Sequence, residues 1–345
     1  MLYVVLFFLI FSLYLYVVLG GADYGAGIVE LFSSEENQKI TKKTIYRVMG
    51  PVWEANHIWI IILIVILWIA FPSYYNILVV YLHIPLTIVL LGVTLRGVAF
   101  VFRHYDAIID NSQRLYDTLF KISSLITPIF LGMVFGGLIS GEIVMVEDIE
   151  TLTFYEVFIN PWFNIFSILV GLFFASLCAF LSSVLLIGES ESVHENIYIR
   201  KAAIATIVVF IVGLITFIYG YGAAHVFVKD FIKNPYSLIS MLFSGLLLIP
   251  LWIAIKKGRR VLSRFFAGLQ VFLILLAAIV AHFPGIIITK SENISLLENI
   301  APESVIKVLG ISLIIGGSVI LPGLFHLLKS FKMIKILDRK DNPSA

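Results

Sequence analysis

The chain has 345 residues, 60% of them hydrophobic and 13% charged, where a soluble domain carries roughly a quarter charged residues. With a mean hydropathy of +1.02, this composition excludes a soluble globular domain and implies a multi-span membrane protein, while a net charge of +2 says little about partners. The apolar runs are continuous rather than alternating and about 20 residues long, which selects helices over a β-barrel.

Nine spans are predicted, at roughly 3–28, 50–71, 77–97, 119–140, 160–187, 201–228, 237–255, 260–283 and 303–328. The first has no basic leader and no convincing cleavage site, so it reads as a retained span. Pro51 suits an early helical position, and Pro72 and Pro284 suit terminations. Pro85, Pro128, Pro250 and Pro322 fall within or near spans, where neighbouring helices can compensate for the lost donor. Cys178 is the only cysteine, which excludes an intrachain disulfide and a thiolate cluster. With the N-terminus outside, all of the 24 Lys and Arg except Lys229, Lys233, Lys290 and Lys307 fall in or beside inner loops and the tail. The outer loops are short or acidic, as at Glu142, Glu147, Asp148, Glu150 and Glu156. No loop is long enough for a soluble domain, and no nucleic-acid partner is expected.

Polar groups in so apolar a chain need a reason. Asp23, near the inner end of the first span, lies among Gly20, Gly21, Gly25 and Gly27. A carboxylate at that depth is costly unless paired, protonated or wet, so it suits a proton or ion path; the plainer reading is an interfacial carboxylate facing water. Glu54, Asn56 and His57 open the second span on the same side, and His57 can titrate near neutrality. They form a proton-transfer candidate or simply a polar helix start. Trp53 and Trp59 fit belt or packing aromatics, or a quinone or lipid contact. Arg96 and Arg103, at the inner exit of the third span, fit positive-inside anchors or partners for Asp23, Glu54 or another subunit. His225 and His282 share a depth at which haem ligation could be imagined, but no metal or haem signature is present, and no metal ligands are assigned. An ion-coupled secondary transporter is the main competing reading, since span-end glycines and intramembrane acids suit it too.

Three segments in order resemble subunit II of cytochrome bd-type quinol oxidases. They are Gly21-Ala22-Asp23-Tyr24-Gly25-Ala26-Gly27, then Gly50-Pro51-Val52-Trp53-Glu54-Ala55-Asn56-His57-Ile58-Trp59, then Leu95-Arg96-Gly97-Val98-Ala99-Phe100-Val101-Phe102-Arg103. Thr127-Pro128, Asn160-Pro161-Trp162 and Phe283-Pro284 add weaker matches. The chain departs from the family pattern at Glu54, where aspartate is usual, at Ala55 for glycine, and at Ala22 for phenylalanine. Gly20 and Val101 stand where relatives often carry an acid.

The resemblance implies an all-α membrane protein with its N-terminus outside and C-terminus cytoplasmic. It would comprise two four-helix bundles, 1–140 and 160–283, a peripheral helix at 303–328 and a basic cytoplasmic tail at 329–345. It further implies a homologous subunit I that binds haems b and d and receives electrons from quinol to reduce dioxygen to water. This chain would be the non-haem scaffold that helps supply cytoplasmic protons, through Asp23, Glu54, Asn56 and His57 in the first bundle. Trp53, Trp59, Arg96 and Arg103 are the weaker cofactor-contact candidates. A structural quinone or lipid within this chain, small single-span accessory subunits, and a prokaryotic cytoplasmic (inner) membrane also follow from the resemblance.

Overall fold

A computed structural model describes residues 1–50, 52–105, 112–145, 152–187, 195–291 and 293–330. Pro51, the acids Glu147, Asp148 and Glu150, and the tail residues Lys332, Lys335, Arg339 and Lys340 lie outside them. Among the described residues, nine helices are long and apolar enough to cross a bilayer. They are Leu2–Leu31, Trp53–Ala70, His83–Arg103, Gln113–Ile139, Ile165–Ile187, Glu195–Gly222, Pro235–Lys256, Arg260–His282 and Glu303–Leu327, here spans 1 to 9. The end at which spans 1, 3, 5 and 7 finish is the basic end, because the neighbouring loops hold most of the Lys and Arg.

Spans 3 and 6 are displaced from their expected positions by six residues, in opposite directions. Span 3 begins late because Pro72–Tyr81 forms a helix of its own, started by Pro72 and closed at Leu82, which leaves helical geometry. Span 3 therefore carries Arg96 two turns inside its end, which falls at Arg103. Span 6 begins early, at Glu195, and takes in Lys201; its expected last turns instead form the separate helix Val226–Lys233.

Span 1 is not one uniform helix. A π-helical turn, Tyr16–Gly20, joins Leu2–Leu15 to Gly21–Leu31. Span 5 lies at the centre, packed against spans 1, 4 and 6. Two glycines of span 1 set that packing. A Cβ on Gly25 would overlap the Cys178 carbonyl of span 5, and one on Gly27 would overlap the Ser124 hydroxyl of span 4. In lipid, where helices gain nothing from leaving water, close backbone approach of this kind supplies the association energy. Spans 6 and 9 bury least against the rest of the chain.

A short antiparallel pair, Ile287–Ile288 with Asn293–Ile294, covers the end opposite the basic one. It is tied down by Lys290 N donating to the Ile143 carbonyl at 2.9 Å, and the neighbouring Ala301 N donates to the Ala70 carbonyl at 3.0 Å.

Candidate functional site

The basic half of span 1 carries Asp23 and Glu30, seven residues apart and therefore on one face, two turns and about 10 Å from each other. Span 3 carries Arg96 and Arg103 with the same spacing. Each acid binds the arginine 73 positions later, so the two spans run in the same direction. Arg96 Nη1 donates to Asp23 Oδ2 at 2.6 Å, and Nη2 donates to Oδ1 and to the Asp23 carbonyl, both at 2.8 Å. Its Nε donates to Ser124 Oγ at 3.0 Å. Arg103 Nη2 donates to both Glu30 oxygens, at 2.9 and 3.0 Å. The Phe120 ring of span 4 separates the two rungs, with the guanidinium carbons of Arg96 and Arg103 at 4.9 and 4.3 Å from its centre. All four charged side chains are buried. Burial of this kind is tolerable only because each charge is met by its opposite and by hydrogen bonds.

The ladder opens to the basic end through Asp117, which is 30% exposed. One of its oxygens lies 3.2 Å from Arg103 Nε and accepts from Lys42 Nζ at 2.7 Å. Lys201 closes the other side, donating to Ser33 Oγ at 2.6 Å, Thr41 Oγ1 at 3.2 Å and the Val29 carbonyl at 3.5 Å.

His57 completes the deeper rung. It sits at the joint between the short helix Trp53–Asn56 and the rest of span 2, with its Nε2 3.8 Å from Asp23 Oδ2. Its Nδ1 is buried and meets no hydrogen-bond partner among the described residues. Its ring lies 5.8 Å from that of Tyr24 and 6.2 Å from that of Tyr16, centre to centre.

The structure thus brings Asp23, His57 and Arg96 together. Glu54 is exposed, one turn before His57. Asn56 is buried but turns away to line an apolar cavity of about 270 Å³ between spans 1, 5 and 8, shared with Ala22, Leu181 and Arg264. Trp53 packs on Phe100 at 5.5 Å, and the buried Trp59 meets Phe11 at 5.9 Å, ring centre to ring centre. Arg103 belongs to the outer rung with Glu30.

The two histidines considered for haem ligation have their ring nitrogens against backbone carbonyls. His225 Nδ1 is 2.9 Å from the Ser140 oxygen, and His282 Nε2 is 3.2 Å from that of Phe227. Their rings stack on Phe166 and Phe227 respectively. No group of three or more His, Cys, Asp or Glu side chains able to hold a metal occurs among the described residues.

Glu30, Asp117, Phe120, Ser124, Tyr16 and Tyr24 are site residues that the sequence reading passed over. One signal could have found Glu30: the seven-residue spacing of Asp23 and Glu30 repeats in Arg96 and Arg103, on spans expected to run in the same direction.

Among the described residues, nine apolar spans and a buried acid–arginine ladder define a multi-pass helical membrane protein. Residues 1–331 match the family "Cytochrome bd terminal oxidase subunit II", and the chain belongs to that family. It is 30% identical over 162 residues to "Cytochrome bd ubiquinol oxidase subunit 2" of Bacillus subtilis (strain 168). That match spans 46% of this chain and 45% of the relative, less than half of its length. It is 24% identical over 339 residues to a second protein of the same organism, "Putative cytochrome bd menaquinol oxidase subunit II", covering 95% of this chain and 94% of the other. The fold is that of a chain in the bd oxidase from Geobacillus thermodenitrificans, with a TM-score of 0.74 at 17% identity over 94% of this chain and 97% of that one. The resemblance carried by the three motif segments is therefore established. The protein is a multi-pass subunit in a family of membrane oxidoreductases, and its nine spans suit the cytoplasmic membrane.

Proposed function

We propose that this chain is the non-haem subunit of a two-subunit quinol:dioxygen oxidoreductase, and that it both scaffolds a haem-bearing subunit I and delivers protons from the cytoplasmic side. Haems b and d in that partner would carry the electron chemistry; small single-span subunits can complete the assembly. The bias of basic loops supports an outside N-terminus and a cytoplasmic basic end. The reading of 1–140 and 160–283 as two four-helix bundles with 303–328 at the periphery belongs to the same proposal.

One observation carries the proton role: His57 Nε2 stands 3.8 Å from a buried carboxylate, Asp23, held by Arg96, one turn inside the exposed Glu54. Asp23, bound at both oxygens by a group that never loses its charge, acts as a fixed negative charge rather than as a carrier. It favours N–H at His57 Nε2, leaving Nδ1 to take or give a proton. Glu54 collects protons at the surface, His57 moves them inward, and Asp23, held in place by Arg96, stabilises the imidazolium while it exists. Asn56 serves a different element, the apolar cavity, whose walls and single amide suit a quinone or lipid tail.

The test is oxygen consumption by the two-subunit enzyme carrying Glu54→Gln or His57→Gln, normalised to haem absorbance. His57→Gln is expected to slow turnover about 100-fold, in the range of a lost acid–base group. Glu54→Gln should have a smaller effect, since water can replace an exposed carboxylate. Full turnover in both variants would remove the proton role.

A further inference from the structure

The proton reading ends at His57, but the structure continues. Tyr16 and Tyr24 are both buried, and their hydroxyl oxygens are 2.9 Å apart. In an unbroken α-helix, residues eight apart are separated by about 12 Å along the axis, so two tyrosines meeting in this way need a special path. The π turn at Tyr16–Gly20 lies between them, and Gly20 leaves room for the Tyr16 ring to lie along the helix: a Cβ there would come within 2.9 Å of the ring. Turns of this kind are frequent at functional sites.

Counting donors shows what the pair can do. Two hydroxyls hold two protons, and the bond between them uses one. The other has no protein acceptor among the described residues. His57 Nδ1 is likewise buried and unpartnered, on a ring beside both phenols. An unused donor and an unused nitrogen thus lie on neighbouring rings, with Trp59, Ala175 and Cys178 packed in one cluster with the phenols. A small ring rotation or one bridging water connects them.

We propose that the Tyr16–Tyr24 hydroxyl pair is the proton carrier that follows His57, leading towards the middle of the membrane; this rests on the proton-supply reading. Protonated His57 gives up its Nδ1 proton, the N–H bond breaking as an O–H bond forms on Tyr24. The Tyr24 hydroxyl passes its own proton to Tyr16, and Tyr16 releases its own to water. Each phenol keeps one proton throughout, and His57 returns to neutral. Tyr16 is the exit because it lies eight residues before Tyr24, nearer the middle of span 1.

The experiment uses the purified two-subunit enzyme with Tyr16→Phe, Tyr24→Phe or both, alongside His57→Gln. Phenylalanine keeps the ring packing and removes only the hydroxyl. Turnover per haem is expected to fall about tenfold in each tyrosine variant, less than the roughly 100-fold of a lost acid–base group because water can stand in for the hydroxyl, with quinol KM unchanged and a larger ratio of rates in H2O and D2O. The double variant should be no slower than the worse single one, because one missing link already breaks the chain. Normal turnover and an unchanged isotope ratio in the tyrosine variants, with His57→Gln slow, would overturn the relay alone. Normal behaviour in the tyrosine variants and in His57→Gln alike would overturn the proton reading beneath it. If a variant assembles poorly, the isotope ratio of the haem-containing fraction still decides: unchanged, it means a packing role and overturns the relay.

Discussion

Arg96→Leu is expected to destabilise the protein by about 3–5 kcal/mol, the cost of leaving one partner of a buried ion pair uncompensated. Arg96 is 1% exposed and supplies three hydrogen bonds to Asp23 and one to Ser124. Its loss leaves the buried Asp23 carboxylate with His57 Nε2, 3.8 Å away, in place of three direct hydrogen bonds. Asp23→Leu alone should be comparably damaging, since it strands the guanidinium. The double variant Asp23→Leu/Arg96→Leu should regain most of the loss, because two apolar side chains satisfy one another where one charge cannot. Thermal unfolding in mild detergent reads all three. A double variant as unstable as the sum of the singles would show that the pair is not one energetic unit.

Gly25→Ala is the second large effect. Its Cβ would overlap the carbonyl of Cys178, which is backbone and has no rotamer to adopt. Spans 1 and 5 must then separate along a shared interface, and span 5 is the centre of the packing. Overpacking costs about 1–3 kcal/mol where side chains can adjust; against backbone the expectation is at or above that upper figure, seen as loss of folded protein in the membrane. Gly245→Ala is the matched control, since nothing lies within 4 Å of the added carbon. That substitution should be neutral or stabilising by up to about 1 kcal/mol through helix propensity. Equal accumulation of the two variants would contradict the close-approach account.

Much of the fold was legible because lipid makes hydropathy informative: a span must be a long apolar helix, and all nine were found by that criterion. Boundaries failed where apolarity continues through a change of element. The run around Val79 and Val80 reads as membrane, yet it belongs to the helix Pro72–Tyr81. Arg96 and Arg103 read as a span's exit because a charge ordinarily marks the water. Here buried carboxylates neutralise them inside the helix.

The site was legible in part for the same reason. Asp23 and His57 stood out as polar residues in apolar surroundings, and they do meet. Glu54 stood out equally and is exposed, because sequence alone does not say which side of a helix start faces water. Glu30 looks like an ordinary acid at a span's end until its partner Arg103 is known. Tyr16 and Tyr24 look like interfacial aromatics. The π turn that lets them meet leaves no trace in a helix that is apolar on every side.

Proton uptake from the inner compartment tests the central claim most directly. The two-subunit enzyme, in vesicles with the basic end inside and a trapped pH indicator, is given a pulse of oxygen in the presence of reduced quinol. The account predicts that His57→Gln, with haem absorbance intact, slows inner proton uptake and oxygen reduction together, about 100-fold. Uptake from the inside at the unmodified rate in that variant would contradict it.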